Sequence, residues 1–434
     1  MKRVEKRNEK RSEKSFQSPL VFILFLLGAV LLAAFLVLTL ENQAGQSWKK
    51  KVAGTDQEVL GQEIRIMAHG DLLYHDLIYM SARQEDGSYD FQENFEKVKP
   101  WFDKADLLVG DFEGTISPDY PLAGYPLFNA PPQVVTAIKG AGYQVLDLAH
   151  NHILDSGLEG LVSTASSFNS VGIDTIGVFA KQDRANSPIL IKEIKGIKVA
   201  FLAYSYGFNG LEANLTAEEY KDRLADLDEK GIKADLARAE ELADFTIVMP
   251  QMGVEYNLQP TEEQVSLYHK MVDWGADLVL GGHPHVIEPA EVMEKDGQKK
   301  LIIYSMGNFL SNQRLETTED IWTERGLLMD VRLERTKQGV VIKDATARPS
   351  WVRRWEKGTM TEEGYPAYHY QTYLMEDLLE NGPYRNDLNS EERERVDQAY
   401  VQVVDHTGLS WPQAKFSGLS SDQPVVEVEE GEAD

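Results

Sequence analysis

Apolar residues occur along this chain in two different ways. The first is a single long block. Residues 19–40 contain no charged side chain. As a helix, those 22 residues would extend about 33 Å at ~1.5 Å per residue, against a hydrocarbon core of about 30 Å. A cleaved leader has a shorter apolar region of ~7–15 residues and a small-residue cleavage site. Here the polar Glu41-Asn42-Gln43-Ala44 follows. The block is therefore expected to be a retained transmembrane helix.

The second pattern starts at Glu63. Short apolar runs at 64–68, 107–109, 145–149, 199–204, 245–249, 278–280 and 301–304 alternate with helix-like stretches. Continuous apolar runs of this length predict strands buried on both faces. The best-marked helix is 261–274. Thr261 and Gln264 form a capping-box pattern, Val265, Leu267, Tyr268, Met271 and Val272 give the apolar stripe, and Gly275 ends it. Alternating strands and helices predict an α/β domain over 63–335. Residues 41–62 are polar and read as a linker. Beyond Arg335 the pattern changes. One more strand is expected at 339–342. Two helices are expected at 368–379 and 390–404, parted by Asn381-Gly382-Pro383, within a helical extension over 336–420. Residues 421–434 hold six acidic side chains and no basic one, and are expected to be a disordered tail.

Charge adds direction to this outline. The formal net charge is −26, which repels nucleic acid phosphates and argues against DNA or RNA as partners. Residues 1–18 run the other way, with seven Lys/Arg against three Glu. Basic residues ahead of an apolar span place the N-terminus in the cytoplasm. The expectation is a single-pass membrane protein with a cytoplasmic segment at 1–18, an anchor at 19–40, and everything beyond outside the cell. The chain has no cysteine, which excludes disulfides, thiolate metal sites and a cysteine nucleophile.

The chemistry-bearing residues follow the predicted strands. Run 64–68 leads into His69-Gly70-Asp71, and run 107–109 into Gly110-Asp111-Phe112-Glu113. Run 145–149 leads into His150-Asn151-His152, with Asp155 just beyond. Run 245–249 leads to Gln251-Met252-Gly253-Val254-Glu255, and run 278–280 into Gly281-Gly282-His283-Pro284-His285. Sites of open α/β sheets lie outside the carboxyl ends of the strands, so five such ends predict one shared cleft. Six of the nine histidines (69, 75, 150, 152, 283, 285) lie in these segments. The mixed Asp, Glu, Asn, Gln and His set suits Mn, Fe or Zn better than an all-oxygen cage. Tyr204-Ser205-Tyr206-Gly207 either rims such a cleft or only ends a strand. Arg353 and Arg354, between Trp351 and Trp355, are weaker candidates for binding an anion or sugar.

In this order, Gly70-Asp71, Asp111-Phe112-Glu113, Asn151-His152 with Asp155-Ser156-Gly157, Gly253-Val254-Glu255-Tyr256, Gly282-His283-Pro284-His285 and Tyr304-Ser305-Met306-Gly307-Asn308-Phe309, the sequence resembles the CapA-type poly-γ-glutamate biosynthesis proteins, relatives of the calcineurin-like metallophosphoesterases. The resemblance runs from about Ile64 to Arg314. It implies a four-layer αββα metallophosphatase-like sandwich and a membrane-tethered protein of capsule polymer synthesis or export. Capsule polymer and other synthase or export subunits are its implied partners. By the same resemblance Asp71, Asn151, His283 and His285 are metal ligands, and Glu113 or Asp111 supplies the bridging carboxylate. His152, with Asp155, faces the leaving group. Gln251, Glu255 and Asn308 are, apart from the resemblance, weaker candidates for substrate contact. The metal would act as a Lewis acid.

Two departures stand out. Metallophosphoesterases carry Asp-x-His in the first motif, whereas this chain has Asp71-Leu72-Leu73, and neither His69 nor His75 has the required spacing. Relatives often have His-Trp-Gly where this chain has Gln251-Met252-Gly253. With two imidazoles lost, at most one tightly bound divalent ion (Mn, Fe or Zn) is expected. Two function classes stay open: a metal-dependent hydrolase or transferase, and a non-catalytic polymer-binding or scaffold subunit.

Overall fold

A computed structural model describes residues 60–409, apart from 182–183 and 185–188. The apolar block at 19–40, its basic flank, the linker as far as 59 and the acidic tail lie outside the described residues. Among the described residues no helix is long and apolar enough to cross a membrane.

In chain order the strands are β1 (Glu63–Leu73), β2 (Leu107–Glu113), β3 (Val145–Asp147), β4 (Asp174–Ile176), β5 (Leu190–Ile194), β6 (Ile197–Ser205) and β7 (Phe245–Gln251). Then come β8 (Leu278–Leu280), β9 (Ile287–Lys295), β10 (Gln298–Met306), β11 (Asn308–Leu310), β12 (Arg325–Thr336), β13 (Gly339–Met360) and β14 (Pro366–Leu374). All seven apolar runs fall on strands. One sheet has the order β14-β13-β12-β1-β2-β3-β4, with β11 added beside β1, and the other has the order β5-β6-β7-β8-β10-β9. The pairs β1–β2, β2–β3 and β3–β4 are parallel, as are β6–β7, β7–β8 and β8–β10.

Alternation along the strands divides the core into layers. Ile64, Ile66 and Ala68 of β1 share one cluster with Val199 and Phe201 of β6 and with Ile247 and Met249 of β7, so the sheets pack face to face there. Met67 and Leu108 point the other way, onto Val134 and Ile138 of the helix Gln133–Ala141 and Leu161 and Phe168 of the helix Gly157–Ser170. Behind the second sheet, Leu202 and Val248 meet Ile232 and Leu236 of the helix Glu229–Leu242, with Leu267 and Met271 of the helix Glu262–Trp274. The layers therefore run helix, sheet, sheet, helix. The helix Glu262–Trp274 starts as its sequence predicts: Thr261 accepts from the Gln264 amide in a capping box, and Gly275 follows its end.

The C-terminal part corrects two expectations. The strand expected at 339–342 extends to Met360: Val340, Ile342, Ala345, Ala347 and Trp351 find apolar cover on the inner face, the alternation changing phase at a bulge between Ile342 and Asp344. The helix expected at 368–379 is instead β14 followed by a short 3₁₀ turn at Met375–Leu378. Its aromatic-rich Tyr368-His369-Tyr370-Gln371-Thr372-Tyr373 favours an extended chain, and β14 pairs antiparallel with β13. The second expected helix exists as Ser390–Thr407, capped by Asn389.

Candidate metal centre

The site is built where parallel strands stop. β1 breaks register with β2 between Ala68 and Asp71. A Cβ on Gly70 would collide with the Gly307 carbonyl, so glycine lets the β10–β11 link approach closely. Beyond this bulge Asp71 stands opposite Asp111 on one side and Asn308 on the other, and Asp111 stands opposite Asp147. Three aspartates thus form one row across β1, β2 and β3. The second sheet contributes the turn after β8. There His283 has φ of 96° and His285 φ of 59°, left-handed values that cost a non-glycine residue on the order of 1–3 kcal/mol. The packed sheets hold this strained turn so that the His285 imidazole meets Asp71.

Asp71, Glu113 and His285 are buried and offer ligand atoms that all lie within 4.8 Å of one another. His285 Nδ1 is 3.0 Å from Asp71 Oδ2, 3.1 Å from Asn308 Oδ1 and 3.7 Å from Glu113 Oε2. Asn308 donates its own amide to Gln313 Oε1 and to the Thr323 carbonyl, both at 2.8 Å. Those two acceptors turn its oxygen toward His285. Gln251 donates its amide to Asp111.

A divalent ion fits this donor set. Asp71 Oδ1, Asp111 Oδ1, both oxygens of Glu113, Asn151 Oδ1 and His283 Nδ1 are buried without a hydrogen-bond partner. Buried carboxylate oxygens left bare are costly, and a cation is the group that satisfies several at once.

The electrostatics agree with a site short of positive charge. Burial raises the Asp111 carboxyl far above its usual range, and Asp147 and Asp71 beside it push the same way. Burial also raises Glu113, to about 7. Burial opposes the charge on His285, but Glu113 and Asp71 overcome it and lift the ring to about 10. His283 has no such partner, and burial drops it to about 3.

His152 forms a separate pair at the margin. Its Nδ1 lies 2.7 Å from Asp155 Oδ2, which also accepts the Phe128 amide at 2.6 Å. Burial lowers the His152 pKa, but the Asp155 hydrogen bond and the Glu113 charge more than restore it, for a net rise. The Asn151 amide donates to Asn209 Oδ1 at 3.3 Å.

Other candidates fall elsewhere. His69 stacks on Phe309 with Phe102 beside both, and bonds Tyr143, a core role that burial enforces by dropping its pKa to about 3. His75 accepts the Asn312 amide at 3.3 Å, and His150 the Gly114 amide at 3.3 Å. Glu255 is exposed at the rim. Arg353 is paired with Glu392 at 2.9 Å and Arg354 bonds Asn312 at 3.0 Å, so neither reaches the cluster by its bonded contacts. Asp147 is the residue the sequence reading missed. The available signal was a lone aspartate inside the apolar run 145–149.

The PGA biosynthesis protein CapA of Bacillus subtilis is 29% identical over 230 residues, covering 52% of this chain and 58% of that one. The capsule biosynthesis protein CapA of Bacillus anthracis is 28% identical over 235 residues, covering 52% and 55%. The match therefore spans a little over half the length of these curated relatives. Among solved structures, the calcineurin-like phosphoesterase YfkN of Bacillus subtilis aligns over 80% of this chain and 100% of its own, with a TM-score of 0.40 and 14% identity. The NAD nucleotidase of Haemophilus influenzae aligns over 79% and 63%, with a TM-score of 0.43 and 12% identity. The profile of the bacterial capsule synthesis protein PGA_cap matches residues 65–313, more than half of the chain and every residue from Asp71 to Asn308, and the chain belongs to that family.

Proposed function

We propose that this protein is a membrane-anchored, extracytoplasmic component of capsule polymer synthesis or export, with poly-γ-glutamate as the polymer, and that its buried cluster is a one-ion site for hydrolysis or group transfer. The observation that carries the reading is the convergence of Asp71, Glu113 and His285 with bare carboxylate oxygens, inside a family of capsule synthesis proteins. The polymer class is taken from the names of the Bacillus relatives. The anchor rests on the uncharged block at 19–40 and its basic flank. Other synthase or export subunits are the expected protein partners.

Asp71, Glu113 and His285 would hold the ion, with Asp111, Asn151 and His283 around it. Bound there, a divalent ion supplies Lewis acidity. His152 can hold a proton for a leaving group, since Asp155 fixes its ring through Nδ1 and leaves Nε2 as the acid. Asn308 keeps His285 turned toward Asp71.

A non-catalytic polymer-binding or scaffold role is the second reading. It is favoured by Gln251, an amide that spends its donor on Asp111. Surface polymer separates the two. In cells carrying Asp71→Ala/His283→Ala at matched expression, the enzyme reading expects polymer to be lost. Wild-type polymer from that variant removes the catalytic reading. If polymer then fails only when residues 19–40 are replaced by an unrelated anchor, the scaffold reading stands.

A further inference from the structure

Exposed tyrosines stand beside the histidines of the buried cluster. Tyr206 is 47% exposed, and its ring centre lies 4.5 Å from that of His283. Tyr256 is 39% exposed and 6.2 Å from His285. Tyr125 is 80% exposed and sits 6.5 Å from Phe128, which packs edge-on against His152 at 4.8 Å. His283 and His285 thus each have a partly exposed tyrosine beside them, and Tyr125 reaches His152 through the buried Phe128. Single exposed aromatics are ordinary, but three gathered around one polar centre mark a binding surface.

The exposed charges beside these tyrosines are carboxylates. After burial, the strongest influence on both the Tyr206 and the Tyr256 phenol is the exposed Glu255, and Glu113 follows for both. Glu212 adds to the first and Asp320 to the second. The arginines that would oppose them are engaged elsewhere. Arg353 pairs with Glu392, Arg354 with Asn312 and Glu316, and Arg314 with Glu316 and Glu324.

We propose that this surface admits an amine-bearing chain end, with the ammonium seated against the Tyr206 and Tyr256 faces and countered by Glu255, and that it turns away runs of free carboxylates. The proposal rests on the reading of the buried cluster as a metal site. The negative face of an aromatic ring attracts a cation, and a nearby carboxylate adds to that attraction. A polyanion meets Glu255, Glu212 and Asp320 instead, and like-charge contacts of this kind are what reject wrong partners. In an amide-linked polymer of acidic units, the free amino end is the place where positive charge occurs. The site therefore engages a chain terminus or an amine acceptor, and passes over the middle of the chain.

Calorimetric titration of the purified full-length chain loaded with Mn(II) tests this, with metal content measured on the same sample. The probes are a glycine hexamer with a free amino end, its N-acetylated twin, and an N-acetylated γ-linked glutamate hexamer. The free amine is expected to bind about tenfold or more tighter than its acetylated twin, a difference of about 1.4 kcal/mol. Glu255→Gln should erase that preference and leave metal content unchanged, and Tyr206→Ala should weaken the free amine alone. Equal binding of the two glycine hexamers, no binding of the free amine, or tightest binding of the glutamate hexamer overturns the proposal. A chain that retains no metal defeats the metal reading separately, and the Glu255 comparison can still be made on it.

Discussion

His285 Nδ1 lies 3.0 Å from Asp71 Oδ2, although 214 positions separate the two residues in the chain. Asp71 belongs to the end of β1 in one sheet, and His285 to the turn after β8 in the other. The cluster therefore exists only when the sheets are packed against each other.

Metal content follows directly. The purified chain should hold at most about one transition-metal ion tightly, because Leu73 and Gln251 stand where two further imidazoles would be needed. Asp71→Asn or His285→Ala should lower affinity by more than about 100-fold, beyond the loss typical of a supporting residue. Elemental analysis that finds two tightly held ions per chain would overturn the one-ion reading.

Asn308 is expected to act on the ion through His285. Asn308→Ala removes the oxygen 3.1 Å from Nδ1 and should weaken metal binding by about 10–100-fold. It also strands the Gln313 oxygen and the Thr323 carbonyl, at a cost of about 1–3 kcal/mol of stability. Competition with a chelator reads the first effect and urea denaturation the second. Unchanged metal affinity in a folded variant would reduce Asn308 to a packing residue.

Glu288 predicts a pH dependence away from the cluster. It is buried on β9, with Oε2 accepting the Gln264 amide at 2.6 Å and Oε1 unpartnered. Burial raises its pKa from 4.5 to about 8. Between those values the folded chain keeps a proton that the unfolded chain has released. Its contribution is thus fully present below about pH 4.5 and is lost as pH rises through about 8. Glu288→Gln should stabilise the protein by about 1–3 kcal/mol at pH 8 and leave it unchanged at pH 4. Parallel stability curves for the two proteins would mean that Glu288 ionises in the fold without penalty.

Topology can be read on cells. Protease added to intact, wall-stripped cells should digest nearly the whole chain and leave a short protected N-terminal stub. A fully protected chain would contradict the anchor at 19–40 and its orientation.

Much of this architecture was legible because burial on both faces leaves a simple trace. Runs such as Leu278–Leu280 have no polar residue to confuse the reading, and the glycines and histidines after them mark where each strand stops. Strands covered on one face were harder. β9 carries Glu288, Glu291 and Glu294 at every third position, which masks the two-residue period of a strand. β14 was misread as helical although its tyrosines at 368 and 370 already follow a two-residue period. In the site, the ends of β1, β2 and β8 declared themselves by residue type. Asp147 did not, because its neighbours are those of a core strand and only register shows it beside Asp111. Arg353 and Arg354 show the converse: charge and flanking tryptophans suggested a ligand surface, and the C-terminal helix and Asn312 had already claimed them.

The placement of β12 between β1 and β13 has a cost in time. Arg65 on β1 bonds Asp330 on β12, 265 residues further on. The strand that carries Asp71 is among the first to be synthesised, yet one of its edges stays open until nearly the whole chain exists. High contact order of this kind slows folding, and an open apolar edge invites wrong partners meanwhile. Ending the chain at Arg335 would not rescue a smaller unit, because β12 would then become the bare edge along the length that β13 now covers. Yield of the protein should therefore depend on how well the nascent chain is shielded before residue 360 emerges, and much less on changes within the metal cluster.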